Sequence, residues 1–214
     1  CPAPALGLVH ASNEVWARAP LPVDAPLVAR VWFGETRWRA RGFEFDLHTA
    51  IFAAGGAGAV GEALWAGRTT IFRSVPRAEQ LQEERAPRAP EAPRAEEGGA
   101  RLALDLPADL GRRYGAVAGD RNPIHLYRWS ARLFGFERPI MHGMWTLARA
   151  VRASGGEAPP ATGELRVQFR RPVPLPSAVE VRWAPLALAW GEGVGFEVRG
   201  GEGRVAIEGE WVRG

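Results

Sequence analysis

The sequence predicts an α+β chain: an antiparallel sheet with one helix on its face, preceded by a partial copy of the same unit. Three observations predict it. An apolar helical stripe around residue 147 is followed by four runs of two-residue alternation. Two short strings recur at a single offset along the chain. A charged, proline-rich stretch lies between the copies.

The elements follow in order. Residues 1–75 form the front copy. Arg18-Ala-Pro-Leu-Pro22 echoes Arg171-Pro-Val-Pro-Leu-Pro176, and Gly42-Phe-Glu-Phe45 echoes Gly195-Phe-Glu-Val198. Residue 18 stands to 171 as 42 stands to 195, an offset of 153 in both cases. The front copy has no counterpart of the apolar helix, which would fall before Cys1. Its sheet must therefore bury a face against the other half or a partner chain. Residues 76–100 carry four prolines among many Glu and Arg and read as a linker, with at most a helical turn near Glu79 to Arg85. Residues 101–214 form the second copy. Arg101–Leu106 alternates, and Pro107-Ala-Asp109 opens a new element. His142–Arg152 places Met144, Leu147, Ala148 and Val151 on one helical stripe. After a loop at Ala153–Gly163 the period becomes two: Leu165, Val167 and Phe169; Val179, Val181 and Trp183; Val194, Phe196 and Val198; Val205, Ile207 and Trp211. Four such strands after one helix make an antiparallel sheet with that helix on one face.

Composition narrows the function. The chain has 214 residues, 46% hydrophobic and 24% charged, with a formal net charge of +3, a globular balance with enough apolar residues for a sizeable core. Every basic residue is Arg, and the Arg residues are scattered among Glu and Asp. That scatter argues against a nucleic-acid stripe and weakly favours small polyanionic ligands. No apolar run reaches the ~18 residues of a membrane helix. A single cysteine excludes an intrachain disulfide framework and a Cys-based zinc site, and four His without His-x-x-x-His spacing predict no metal site. Cys1 opens the chain with neither Met nor a secretion signal, so it reads as an exposed terminus left by truncation. With no paired cysteines, the expected location is the cytoplasm.

The chemistry concentrates in Tyr114-Gly-Ala-Val-Ala-Gly119-Asp120-Arg-Asn122-Pro123-Ile124-His125. On a continuous helix Asp120 and His125 would sit about 140° apart. Pro123 instead starts a new helix, with Asn122 as its N-cap and His125 in its first turn. Asp120 then lies on the preceding loop behind flexible Gly119, and both side chains can turn to one spot. A carboxylate beside an imidazole is an acid/base pair near neutral pH. The same residues also make an ordinary capped helix entry, so geometry must decide.

This stretch resembles the hydratase signature of the MaoC-like family, the (R)-specific enoyl-thioester hydratases and dehydratases of hot-dog fold. The likeness extends over Ala131-Arg-Leu-Phe-Gly-Phe136 and Ile140-Met-His-Gly-Met-Trp-Thr-Leu147, and more loosely through Phe169-Arg-Arg-Pro172. Gly7-Leu-Val-His-Ala-Ser-Asn13, without an Asp-x-Asn-Pro-x-His of its own, looks like the non-catalytic first repeat of two-repeat members. The resemblance implies a double hot-dog with a partial N-terminal repeat. It implies that Asp120 and His125 are the catalytic pair that activates water, that Asn122 helps hold the site, and that the Gly143 amide polarises the thioester carbonyl. A helix N-terminus suits that last role physically, because its N–H groups are unpaired and its dipole end is positive. The implied activity is that of a hydro-lyase, acting on a coenzyme A or acyl carrier protein thioester, with no redox or metal cofactor. The edge strands of such a sheet invite pairing, so a homodimer is expected.

Other residues have ordinary readings beside functional ones. His142, next to Gly143, either positions the site or is a structural histidine. Arg170 and Arg171 either meet the phosphates of a thioester carrier or are plain strand charges. Trp129 and Trp145 either line an acyl pocket or pack in core and interface. His10 and His48 read as ordinary histidines. Two rival functions stand: a hot-dog thioesterase, and a non-catalytic acyl-binding subunit of a larger dehydratase.

Overall fold

The computed structural model describes residues 7–40, 42–54, 62–74, 99–155, 161–188 and 191–214. Alternating apolar residues in both copies extend into strands, nine in one sheet. The front strands are β1 (Val9–Ala17), β2 (Leu27–Arg39), β3 (Gly42–Ala53) and β4 (Trp65–Ser74). Next come β5 (Ala100–Leu106), α1 (Leu110–Ala118), a 3₁₀ turn (Pro123–His125), α2 (Arg128–Arg132) and α3 (Gly143–Gly155). The chain closes with β6 (Gly163–Phe169), β7 (Ser177–Leu188), β8 (Gly191–Arg199) and β9 (Val205–Arg213). All but the last two residues of the expected linker, and Cys1, lie outside the described residues.

The strand order is β2-β3-β4-β1-β6-β9-β8-β7-β5, with every pairing antiparallel. From the β1–β6 junction the order β1, β4, β3, β2 runs one way and β6, β9, β8, β7 the other. The offset of 153 carries β1 onto the segment that holds β6. The front copy joins the back half edge to edge within this sheet: Asn13 pairs with Val167, and its side chain reaches Met144 of α3 at 3.9 Å. This sheet curving about a helix is the hot-dog fold.

Helix α3 packs against β7, β8 and β9. Leu147 of α3 is buried in one cluster with Val167, Val181, Phe196, Val198 and Ile207 of the strands. Burial of each such side chain contributes roughly 1.5–3 kcal/mol. The buried face of α3 is Thr146, Leu147 and Ala150, while Ala148 is exposed. The stripe is thus rotated from the expected one. Ala150, with no accessible surface, lets the helix axis approach the sheet, and Thr146 meets its polar requirement by donating to the His142 carbonyl. Among the described residues no helix covers the front strands, and Val31, Phe33 and Trp38 on β2 remain about half exposed.

Candidate active site

Three local features hold the catalytic-looking loop. Gly119 ends α1 at φ +74°, a left-handed turn that glycine adopts without strain. Asn122 then caps the 3₁₀ turn, its Oδ1 accepting from the Ile124 amide. The Asp120 carboxylate accepts from the Asn122 amide at 3.1 Å. This is the expected turn, as one tight 3₁₀ turn in place of a longer helix. Beneath it α1 presents Gly111 and Gly115. A Cβ at Gly111 would stand 2.2 Å from the His125 carbonyl oxygen, and one at Gly115 would stand 2.7 Å from that of Asp120. The helix and the loop touch backbone to backbone, and only hydrogen side chains fit between them. This Gly-x-x-x-Gly pair escaped the sequence reading, although its helical spacing was visible.

The structure brings Asp120, His125 and His142 together. A carboxylate oxygen and one nitrogen from each ring lie within 4.8 Å of one another. His125 is buried, and its Nδ1 lies 2.7 Å from the Ile140 carbonyl oxygen. That partner only accepts, so Nδ1 carries the hydrogen and Nε2 keeps its lone pair. The His142 ring stacks on His125 at 3.7 Å. Its Nε2 donates to the Asp120 carbonyl at 3.0 Å and stands 3.8 Å from the carboxylate. His142 Nδ1 is buried and has no hydrogen-bond partner among the described residues. Tyr114 closes the stack edge-on, 5.0 Å from His142. His142 thus touches both members of the expected pair.

Burial sets the electrostatics. Desolvation first and nearby His142 second lower the His125 pKa to about 4, against the opposing pull of the Ile140 carbonyl and Asp120. Burial also lowers those of His142 and His10, against the opposing pull of Asp120. All three rings are neutral at pH 7. Each ring has one nitrogen already engaged, His125 Nδ1 by the Ile140 carbonyl and His142 Nε2 by the Asp120 carbonyl.

These groups line a cavity of about 760 Å³. Gly143, at the start of α3, opens onto it, with the ring of Phe169 where a Cβ would lie, 2.8 Å away. The front copy builds one wall with Leu8, Val9, His10 and Phe72. A register shift between His10 and Ser12 on β1 re-aims this stretch, and the His10 ring lies 5.7 Å from Phe169. His10 is therefore a cavity residue. Nothing local in the sequence marks it, because it is more than a hundred residues from His125.

Other expected site residues stand differently. Asn122 does not line the cavity: its Nδ2 donates to the Leu8 carbonyl at 3.3 Å and ties the loop to the front copy. Arg170 lines the cavity but is held by Glu208, with Nε at 2.6 Å, so its charge is compensated. Arg171 lines the cavity as an exposed cation. Trp145 is half-buried beside Arg149, and Trp129 is 68% exposed, so neither ring lies in the cavity wall.

The MaoC-like domain model matches residues 82–189. The 3-hydroxyacyl-thioester dehydratase X of Mycobacterium tuberculosis is 33% identical over 192 residues, covering 90% of this chain and 63% of that protein. The peroxisomal enoyl-CoA hydratase 2 of Arabidopsis thaliana is 28% identical, covering 68% of this chain and 48% of that protein. This chain thus spans less than two thirds of either relative. The crystal structure of HtdX from Mycobacterium tuberculosis superposes over the whole chain and 79% of its own, with a TM-score of 0.72 at 29% identity. With half of its length matched by the family model, this chain belongs to the MaoC-like dehydratase family.

Proposed function

We propose that the protein adds water across the double bond of a trans-2-enoyl thioester to give the (R)-3-hydroxyacyl thioester, or runs the reverse dehydration. The observation that carries this reading is the convergence of the Asp120 carboxylate and the neutral His125 ring in a cavity that also holds the N-terminus of α3. The names of the two relatives, a thioester dehydratase and an enoyl-CoA hydratase, support the same chemistry.

In this reading a water molecule sits between Asp120 and His125 Nε2. The ring takes a proton as the water oxygen bonds to C3. The C2–C3 π pair moves toward the carbonyl, and negative charge builds on the thioester oxygen. The Gly143 amide and the positive end of α3 stabilise that enolate, a term of roughly 2.7–4 kcal/mol at comparable sites. The proton then returns to C2 on the same face. Tyr114 and Phe169 line the cavity around these groups. The chain needs only the thioester and water for this cycle.

Crotonyl-CoA tests it directly. Loss of enoyl absorbance, with (R)-3-hydroxybutyryl-CoA as product, is the expected result. Release of free thiol from a saturated acyl-CoA, without hydration, would assign the cavity to thioester hydrolysis instead.

The pH profile provides a second check. The base must be unprotonated, and burial lowers the pKa of His125 from 6.5 to about 4. Activity in kcat/KM therefore persists below pH 6.5 and falls only as pH drops through about 4. Stability follows the same sign: the contribution of a buried neutral ring is complete above pH 6.5 and is lost progressively between 6.5 and 4. An acidic limb at pH 6.5 in the initial rates, with denaturant midpoints that stay flat as pH falls from 6.5 to 4, would show that His125 is solvated as an ordinary histidine.

A further inference from the structure

Most arginines on the sheet are neutralised in place, with Arg30, Arg101 and Arg213 the exceptions among the described residues. Arg37 pairs with Asp46 at 2.7 Å, Arg68 with Glu14 at 2.6 Å, Arg170 with Glu208 and Arg199 with Glu197 at 2.5 Å. Those of the segment from α1 through α2 are not. Arg113, Arg121, Arg128 and Arg132 are exposed and make no ion pair among the described residues. Arg112 lies over the Tyr127 ring at 5.1 Å. The only acidic residues between Leu110 and Arg138 are Asp120, in the site, and Glu137. Apolar side chains stand out among these cations: Val117 is 87% exposed, Trp129 68% and Leu133 76%. Tyr127 and Trp129 stack on each other at 6.2 Å.

The inner side of the same segment is the cavity wall, since Tyr114, Ala118, Asp120 and Phe136 all line it. A cationic, aromatic surface thus backs directly onto the place where a thioester would react. Resting on the hydratase reading above, we propose that the outer face of α1 and α2 docks an acidic carrier protein that delivers the acyl thioester. The unpaired arginines match an acidic surface in charge. Trp and Arg are also the side chains that anchor protein contacts when they become desolvated. The phosphates of a small carrier would use a compact cluster of guanidinium groups. Here the charges are spread over two helices and interleaved with rings and aliphatic groups, which a protein partner would bury and a nucleotide would not.

The test compares crotonyl carrier protein with crotonyl-CoA on the full chain. In the variant Arg128→Glu/Arg132→Glu, KM for the carrier-protein thioester rises about tenfold or more, kcat stays within about twofold, and KM for crotonyl-CoA stays within about twofold. For the parent, KM for the carrier-protein substrate also rises several-fold between about 50 and about 300 mM NaCl. Isothermal titration with acyl-free holo carrier protein gives the same ranking with no turnover required. That arm separates the two readings: a chain that hydrates neither thioester loses the proposed activity, while carrier binding still decides the docking surface. Equal rises in KM on both substrates would assign the arginines to phosphate binding and overturn the proposal. So would unchanged KM and binding, or binding only to vesicles of anionic phospholipid. If the double variant does not fold, Trp129→Ala and the salt dependence carry the same expectations.

Discussion

Substitution of His125 by Gln is expected to lower kcat for enoyl-thioester hydration by about a thousandfold, equivalent to about 4 kcal/mol in the barrier. Glutamine keeps the size of the side chain and its amide can still face the Ile140 carbonyl. It has no lone pair basic enough to take a proton from water. Asp120→Asn keeps the turn, because its Oδ1 can still accept from the Asn122 amide. It removes the negative charge beside the water site, and a loss of about 10²- to 10⁴-fold is expected. Because the two groups act on one water, the double variant should be little worse than the weaker single one. Stopped-flow loss of enoyl absorbance on crotonyl-CoA measures all three. KM within a few-fold of the parent marks a loss confined to the chemical step. Full activity in either single variant would remove the pair from the mechanism.

Gly111→Ala carries the second large effect, and it acts without touching substrate. Its Cβ would stand 2.2 Å from the His125 carbonyl oxygen, about 1 Å inside ordinary contact. The helix or the loop must move by that amount. Overpacking of this kind costs roughly 1–3 kcal/mol. Misplacement of a catalytic group by about 1 Å costs on the order of 10²-fold in rate. Gly115→Ala meets the Asp120 carbonyl at 2.7 Å and should give the same two losses at smaller size. Thermal denaturation and initial rates together separate the two terms. A Gly111→Ala protein with parental stability and rate would show that α1 and the loop are not in rigid contact.

How far the site was legible depends on how local each part is. Asn122, Pro123 and His125 lie within a single turn, where capping and the φ restriction of proline act between neighbours, so their geometry follows from their order. The strands of the second copy were equally legible, because alternation reports directly which face meets the core. The phase of α3 was not: Ala148 fits the apolar template, yet it faces out, because only the sheet decides that Ala150 is the residue small enough for close approach. Arg170 looked like a free strand charge until β9 placed Glu208 beside it. Trp129 carried no signal for exposure, because ring hydrophobicity is the same on a buried helix and on a docking face.

By itself, the sequence determined the strands of the second copy and its apolar helix, the internal echo at one offset, and the loop that aims a carboxylate and an imidazole. These rest on interactions between residues a few positions apart. The tertiary structure alone decided that His142 stacks on His125, that His10 of the front copy lines the same cavity, and that burial keeps the rings neutral. Those depend on desolvation and on distances between elements scores of residues apart, quantities that exist only once the chain has closed around the cavity.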